Sequence, residues 1–187
     1  MNRWISLLLA ALLVAAAGRT PAQTAERGHG EEAFNTRLVG AHGLQGRSAY
    51  QPLPVRQGER RIAYVGHHAG EALNPLTGAV ETNGTSVVDV SDPSAPRLLT
   101  HIPATGGASG AQMVQVCASD RLPGGDAGRF YLLRSNGNQS HEIWDVTDPA
   151  SPRFVRTVAE MGRTPAGDQH THKNWWECDT GVAYLVG

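Results

Sequence analysis

Val88-Asp89-Val90-Ser91-Asp92-Pro93-Ser94-Ala95-Pro96-Arg97 returns as Trp144-Asp145-Val146-Thr147-Asp148-Pro149-Ala150-Ser151-Pro152-Arg153, with six of ten positions identical and an offset of 56 residues. Internal repetition carries more structural information than any single-residue propensity. The shared linker has a local mechanism. Asp92 and Asp148 accept amide bonds within a turn, Pro93 and Pro149 preset φ for it, and Pro96 and Pro152 hold the chain extended into the next segment. Asp89 and Asp145, repeated beside a repeated turn, read as structural hydrogen-bond acceptors rather than catalytic carboxylates.

The register persists outward from this segment. Residues 62–65, 130–133 and 182–185 each form a short apolar stretch containing tyrosine, and each follows an extended stretch, at 48–55, 111–117 and 173–178. Residues 97–102 and 153–158 supply a last strand after each Asp-Pro turn. One period thus holds four short strands, and helical periodicity is hard to find beyond the N-terminal segment. Four-stranded units recurring about every 50 residues describe the blades of a β-propeller, with a sandwich carrying accidental repetition as the alternative. The expected fold is all-β, with about two and a half blades at 47–103, 110–159 and 171–187 of a domain spanning 38–187. A ring needs at least about four blades. The expectation is therefore an incomplete ring in an N-terminal part of a longer protein, or else a ring assembled from several short chains.

Ser86-Val87-Val88-Asp89-Val90, followed by Asp92-Pro93, resembles the LVIVD-repeat proteins, a family of exported bacterial β-propellers. Ile143-Trp144-Asp145-Val146 departs from that pattern by placing Trp144 where valine or isoleucine is usual. The resemblance covers residues 38–187. It implies a propeller and export but no particular activity, because the fold hosts unrelated functions.

The N-terminus carries its own signal. Arg3 precedes an uncharged apolar run over residues 5–17, which is short for a membrane helix but suited to a secretory signal. The expected signal is 1–22, cleaved after Thr20-Pro21-Ala22, with Ala15-Ala16-Ala17 as the competing site and an uncleaved membrane anchor as the alternative. Residues 23–37, rich in Ala, Glu and Gly, read as a flexible leader. The whole chain has 187 residues, 40% of them hydrophobic, with 16 Lys+Arg against 17 Asp+Glu. A formal net charge of -1 provides no global field for nucleic acid or an anionic membrane surface. The expected location is the periplasm or the extracellular space. The expected partner is a small molecule or a protein, with no nucleic acid and no stable membrane insertion after cleavage.

Blade topology sorts the histidines. His42, His67, His68, His101, His141, His170 and His172 all fall in, or at the borders of, connections that emerge on one face. Converging imidazoles can ligate a divalent transition metal, and His68, His141, His170 and His172 are the candidate ligands. Glu142 and Glu177 can add carboxylate oxygens. A metal-free polar site on the same face would draw on Arg47, His67, His68, Gln112, His141, His172 and Lys173, with Arg47 and Lys173 suited to an anionic group. Polar loops also tolerate histidine without any ligand. Asn136-Gly137-Asn138 reads as a turn, and Trp175-Trp176 as packing residues. Cys117 and Cys178 end matching strands of consecutive blades, so export permits a disulfide if their Cα atoms approach within about 7 Å; two buried thiols are the other possibility. No serine-hydrolase elbow, phosphate loop or zinc-protease helix motif occurs. The expected function is a non-catalytic binding or scaffolding module. The alternative is a metal-assisted enzyme on the histidine-rich face, with hydrolysis as one reaction such a site could support.

Overall fold

Both copies of the Asp-Pro repeat fold as a third strand, a tight turn and a fourth strand of an antiparallel sheet. The computed structural model describes residues 34–105, 110–160, 163–164, 167–168 and 171–186. Its first sheet is built from β1 (Ala49–Gln57), β2 (Arg60–His67) and, after the small hairpin β3 (Glu71–Leu73) and β4 (Val80–Thr82), β5 (Gly84–Asp89) and β6 (Arg97–Pro103). The second follows as β7 (Val114–Ala118), β8 (Phe130–Asn136), β9 (Ser140–Asp145) and β10 (Arg153–Glu160). Strand orders are β1-β2-β5-β6 and β7-β8-β9-β10, all pairs are antiparallel, and neither sheet closes on itself. Two further hairpins complete the chain: β11 (Arg163–Thr164) with β12 (Gly167–Asp168), and β13 (Asn174–Glu177) with β14 (Val182–Leu185). Leu38–Gly187 forms one compact unit. Among the described residues there is no α-helix, and no helix is long and apolar enough to cross a membrane. The segment expected to be a signal lies outside the described residues.

The four-strand period matches the sequence reading, and the turns work as their residues dictate. Asp92 Oδ1 accepts from the Ser94 amide at 2.9 Å and Asp148 Oδ1 from the Ala150 amide at 3.0 Å. Asp89 Oδ1 and Asp145 Oδ1 each accept the amide two residues on, Ser91 and Thr147, at 2.9 Å. These carboxylates also face Arg60 at 3.1 Å and Arg129 at 3.7 Å. The repeated aspartates therefore stitch strand ends to turns. The hairpins β3–β4 and β11–β12 are not legible in the sequence, because their strands are too short to register as periodicity.

The middle strands are buried on both faces, whereas the outermost, β10, is mostly exposed. Ile62, Tyr64, Val87, Ile102, Leu132 and Val146 form a cluster drawn from both sheets, so the two sheets share one core. The joint between them is tight. The Ala111 amide donates to the His67 carbonyl at 3.0 Å, and any Cβ on Gly66 would collide with the Ala111 and Gln112 carbonyls. Only glycine fits there. Gly110 has φ 70°, and a Cβ on it would strike the His67 carbonyl.

Hairpin β13–β14 and the segment leading into it attach to the second sheet by hydrogen bonds and a disulfide. Thr171 Oγ1 donates to the Gly137 carbonyl at 2.9 Å, and Asn174 Nδ2 donates to the Met113 carbonyl at 3.2 Å. Cys117 and Cys178 are disulfide-bonded, with Cα atoms 5.5 Å apart. Trp175 was expected to pack internally but is 57% exposed, because the short hairpin has no sheet face covering that side. Trp176 is half-buried and donates to the Gly181 carbonyl at 3.4 Å.

Candidate functional site at the histidine-bearing end

Strand registers bring the C-terminal ends of β2, β6 and β8 to the same end as the N-terminal ends of β1, β5 and β9. His67, His68, His101 and His141 lie at or near this end, as does His172, whose neighbour Thr171 bonds to the β8–β9 turn. His42 Nδ1 accepts from the Leu44 amide at 3.1 Å in the turn ahead of β1. His170 lies outside the described residues. These side chains divide into a buried layer and an open one.

In the buried layer of the first sheet, His67, Ser86 and His101 form a chain of hydrogen bonds. His101 Nε2 lies 3.0 Å from the Thr82 carbonyl, so that nitrogen carries the proton. Its Nδ1 then accepts from Ser86 Oγ at 3.2 Å, and Ser86 Oγ accepts in turn from His67 Nε2 at 2.8 Å. His67 Nδ1 makes no hydrogen bond of ordinary geometry, although the Ser48 backbone pulls the pKa of this ring upward against its burial. Burial, and for His67 the neighbouring His101, push both imidazoles down to about 4. A serine between two neutral imidazoles resembles a nucleophile with its base. Ser86 is fully buried inside the sheet, however, and no substrate atom can reach it. The chain is structural.

The second sheet fills the equivalent layer with an ion pair. Arg134 is 1% exposed and lies 3.0 Å from Glu142, and its remaining donors reach the Ile102 and Pro103 carbonyls at 2.8 and 2.9 Å. Glu142 also accepts from Asn136 Nδ2 at 2.7 Å and Trp144 Nε1 at 2.9 Å. The guanidinium stands 5.0 Å from the Trp144 ring centroid, which explains the tryptophan in this copy of the repeat. Both Glu142 oxygens are therefore engaged by partners inside the protein. Glu177 is placed at the far end of β13, paired opposite Val182, and accepts from Thr180 Oγ1 at 3.1 Å. It lies away from the histidines.

Other expected site residues are redistributed. Arg47, expected to meet an anionic ligand, is 5% exposed and donates to the Ala72 and Glu81 carbonyls and to Asn83 Oδ1, the last at 2.6 Å. Desolvation lowers its pKa. Its function is internal. Asn83 passes the constraint on by donating to the His68 carbonyl at 3.0 Å. Gln112 is half-buried with an unpartnered Oε1, and Lys173 is exposed. His141 is fully buried, and neither ring nitrogen makes a hydrogen bond of ordinary geometry. Burial lowers its pKa, against the opposing pull of the Lys173 backbone. Among the described residues no three His, Cys, Asp or Glu side chains gather closely enough to hold an ion.

The open layer centres on a residue that sequence reading missed. The Tyr50 ring in β1 meets His68 edge-on, with centroids 5.1 Å apart, and faces His172 at 6.4 Å. Three separate chain segments thus converge on one partly exposed aromatic cluster. Tyr50 gave no local signal, because its importance arises only when β1 and the segment before β13 meet. The sequence matches no protein-family model and no curated protein.

Proposed function

We propose that residues 38–187 contribute consecutive blades of an exported β-propeller that acts as a non-catalytic binding module, with its ligand held at the histidine-bearing end. Two four-stranded sheets in sequential strand order, with the segment leading into β7 bonded to the end of β2, fit such blades. The LVIVD-like repeat and the basic, apolar N-terminus support the same reading, and the disulfide is consistent with an oxidising compartment. The observation that carries the site is the convergence of His68 and His172 on Tyr50. Binding is favoured over metal-assisted hydrolysis because Glu142, the carboxylate next to His141, is committed to Arg134, Asn136 and Trp144.

The test is a fragment screen read by side-chain NMR. Hits should perturb the Tyr50, His68 and His172 resonances and leave the Asp92 and Asp148 turns unchanged. Hits confined to those turns, or none on the aromatic cluster, would reject the reading.

A further inference from the structure

We infer that Tyr50, His68 and His172 form a metal site that takes Cu(II), an inference that rests on reading this end as the binding end. The Tyr50 ring lies against both imidazoles, with centroids 5.1 Å from His68 and 6.4 Å from His172, which gathers a phenol and two imidazoles from three chain segments into one neighbourhood. A first-row metal sits about 2 Å from an imidazole nitrogen, so a single ion would draw on all three. Among the described residues, the Tyr50 hydroxyl and both imidazoles make no hydrogen bond within the protein, which leaves their donor atoms available. All three are at least partly accessible.

The main chain holds the ligands in place. The His68 amide donates to the Ser48 carbonyl at 3.0 Å, and its carbonyl is gripped by Asn83, itself fixed by buried Arg47. The His172 amide donates to the Val186 carbonyl at 3.4 Å. The donor set is two imidazoles and a phenol. Imidazole suits copper, zinc, iron and nickel, and Cu(II) heads the divalent affinity order. On binding, the phenol gives its proton to solvent and the phenolate oxygen bonds to the ion, so each Cu(II) bound releases one proton from Tyr50.

The experiment titrates Cu(II) into the untagged full-length protein in a non-chelating buffer. The expected result is one stoichiometric site, one proton released, a visible phenolate-to-copper charge-transfer band, and electron paramagnetic resonance hyperfine structure from two nitrogens. Tyr50→Phe should keep the ring packing but abolish the band. His68→Ala and His172→Ala should each weaken binding by more than about tenfold, whereas His42→Ala should leave it unchanged. A wild type without the band, or with affinity unchanged in the His68→Ala/His172→Ala double variant, would overturn the site and assign any binding to scattered surface histidines. The hyperfine measurement needs no variant, so misfolding of a substitution cannot mask the answer. If copper fails while fragments still perturb the same three rings, the metal is wrong and the binding end stands. If both fail, the functional reading falls with it.

Discussion

His101 and Glu142 show how burial converts polar side chains into conditional supports. His101 has its folded-state pKa at about 4, below the ordinary 6.5 of an exposed imidazole. The unfolded chain therefore binds more protons than the folded one, and stability falls as pH drops below about 6.5, levelling off below about 4. The loss amounts to about 3 kcal/mol for this group alone. His101→Gln retains a donor toward the Thr82 carbonyl but cannot titrate. Urea melts between pH 7 and pH 4 should show a shallower loss for it than for the wild type, and parallel curves would refute the assignment. Glu142→Gln leaves the Arg134 guanidinium buried without its counter-charge and should cost about 3–5 kcal/mol in the same assay.

Individual elements differ in how firmly they are held. β5 and β9 sit between neighbours in four-stranded sheets, whereas β13–β14 is a two-stranded ribbon with Trp175, Val182 and Tyr184 exposed. An isolated two-stranded hairpin is marginally stable in water. The Cys117–Cys178 bond closes a loop of 61 residues and removes about 4 kcal/mol of unfolded-state entropy in the chain-entropy model. Cys117→Ser/Cys178→Ser should lower global stability by about that amount, and amide exchange should accelerate most in β13 and β14. Uniform acceleration across β2 and β5 as well would show that the disulfide does not act locally. His172 belongs to the segment leading into this hairpin, so the ordering of one side of the candidate site depends on the same latch.

At the scale of the whole molecule, the continuous core predicts that the two sheets unfold as one cooperative body. Leu132 on β8 and Val87 on β5 belong to a single buried cluster. Leu132→Ala should cost about 2–5 kcal/mol. The shared core also predicts where that loss appears: exchange protection should fall in β5 of the first sheet together with β8 of the second. Loss confined to the second sheet would mean that each unfolds independently.

The four-strand period, the Asp-Pro turns and the gathering of histidines at one end were legible in the chain because each depends on local chemistry. Aspartate bonds the amide two residues on, proline fixes its own φ, and a period repeated at 56 residues carries its loops to the same end each time. Which imidazoles stay accessible was not legible. His67 and His141 are sealed while His68 and His172 remain open, and Arg47 turns inward to Asn83 instead of outward to an anion. Local sequence leaves these outcomes undetermined, because burial and pairing depend on strands far apart in the chain. Tyr50 and His172 are 122 residues apart, and only the packing of β1, β7 and β13 brings their rings together.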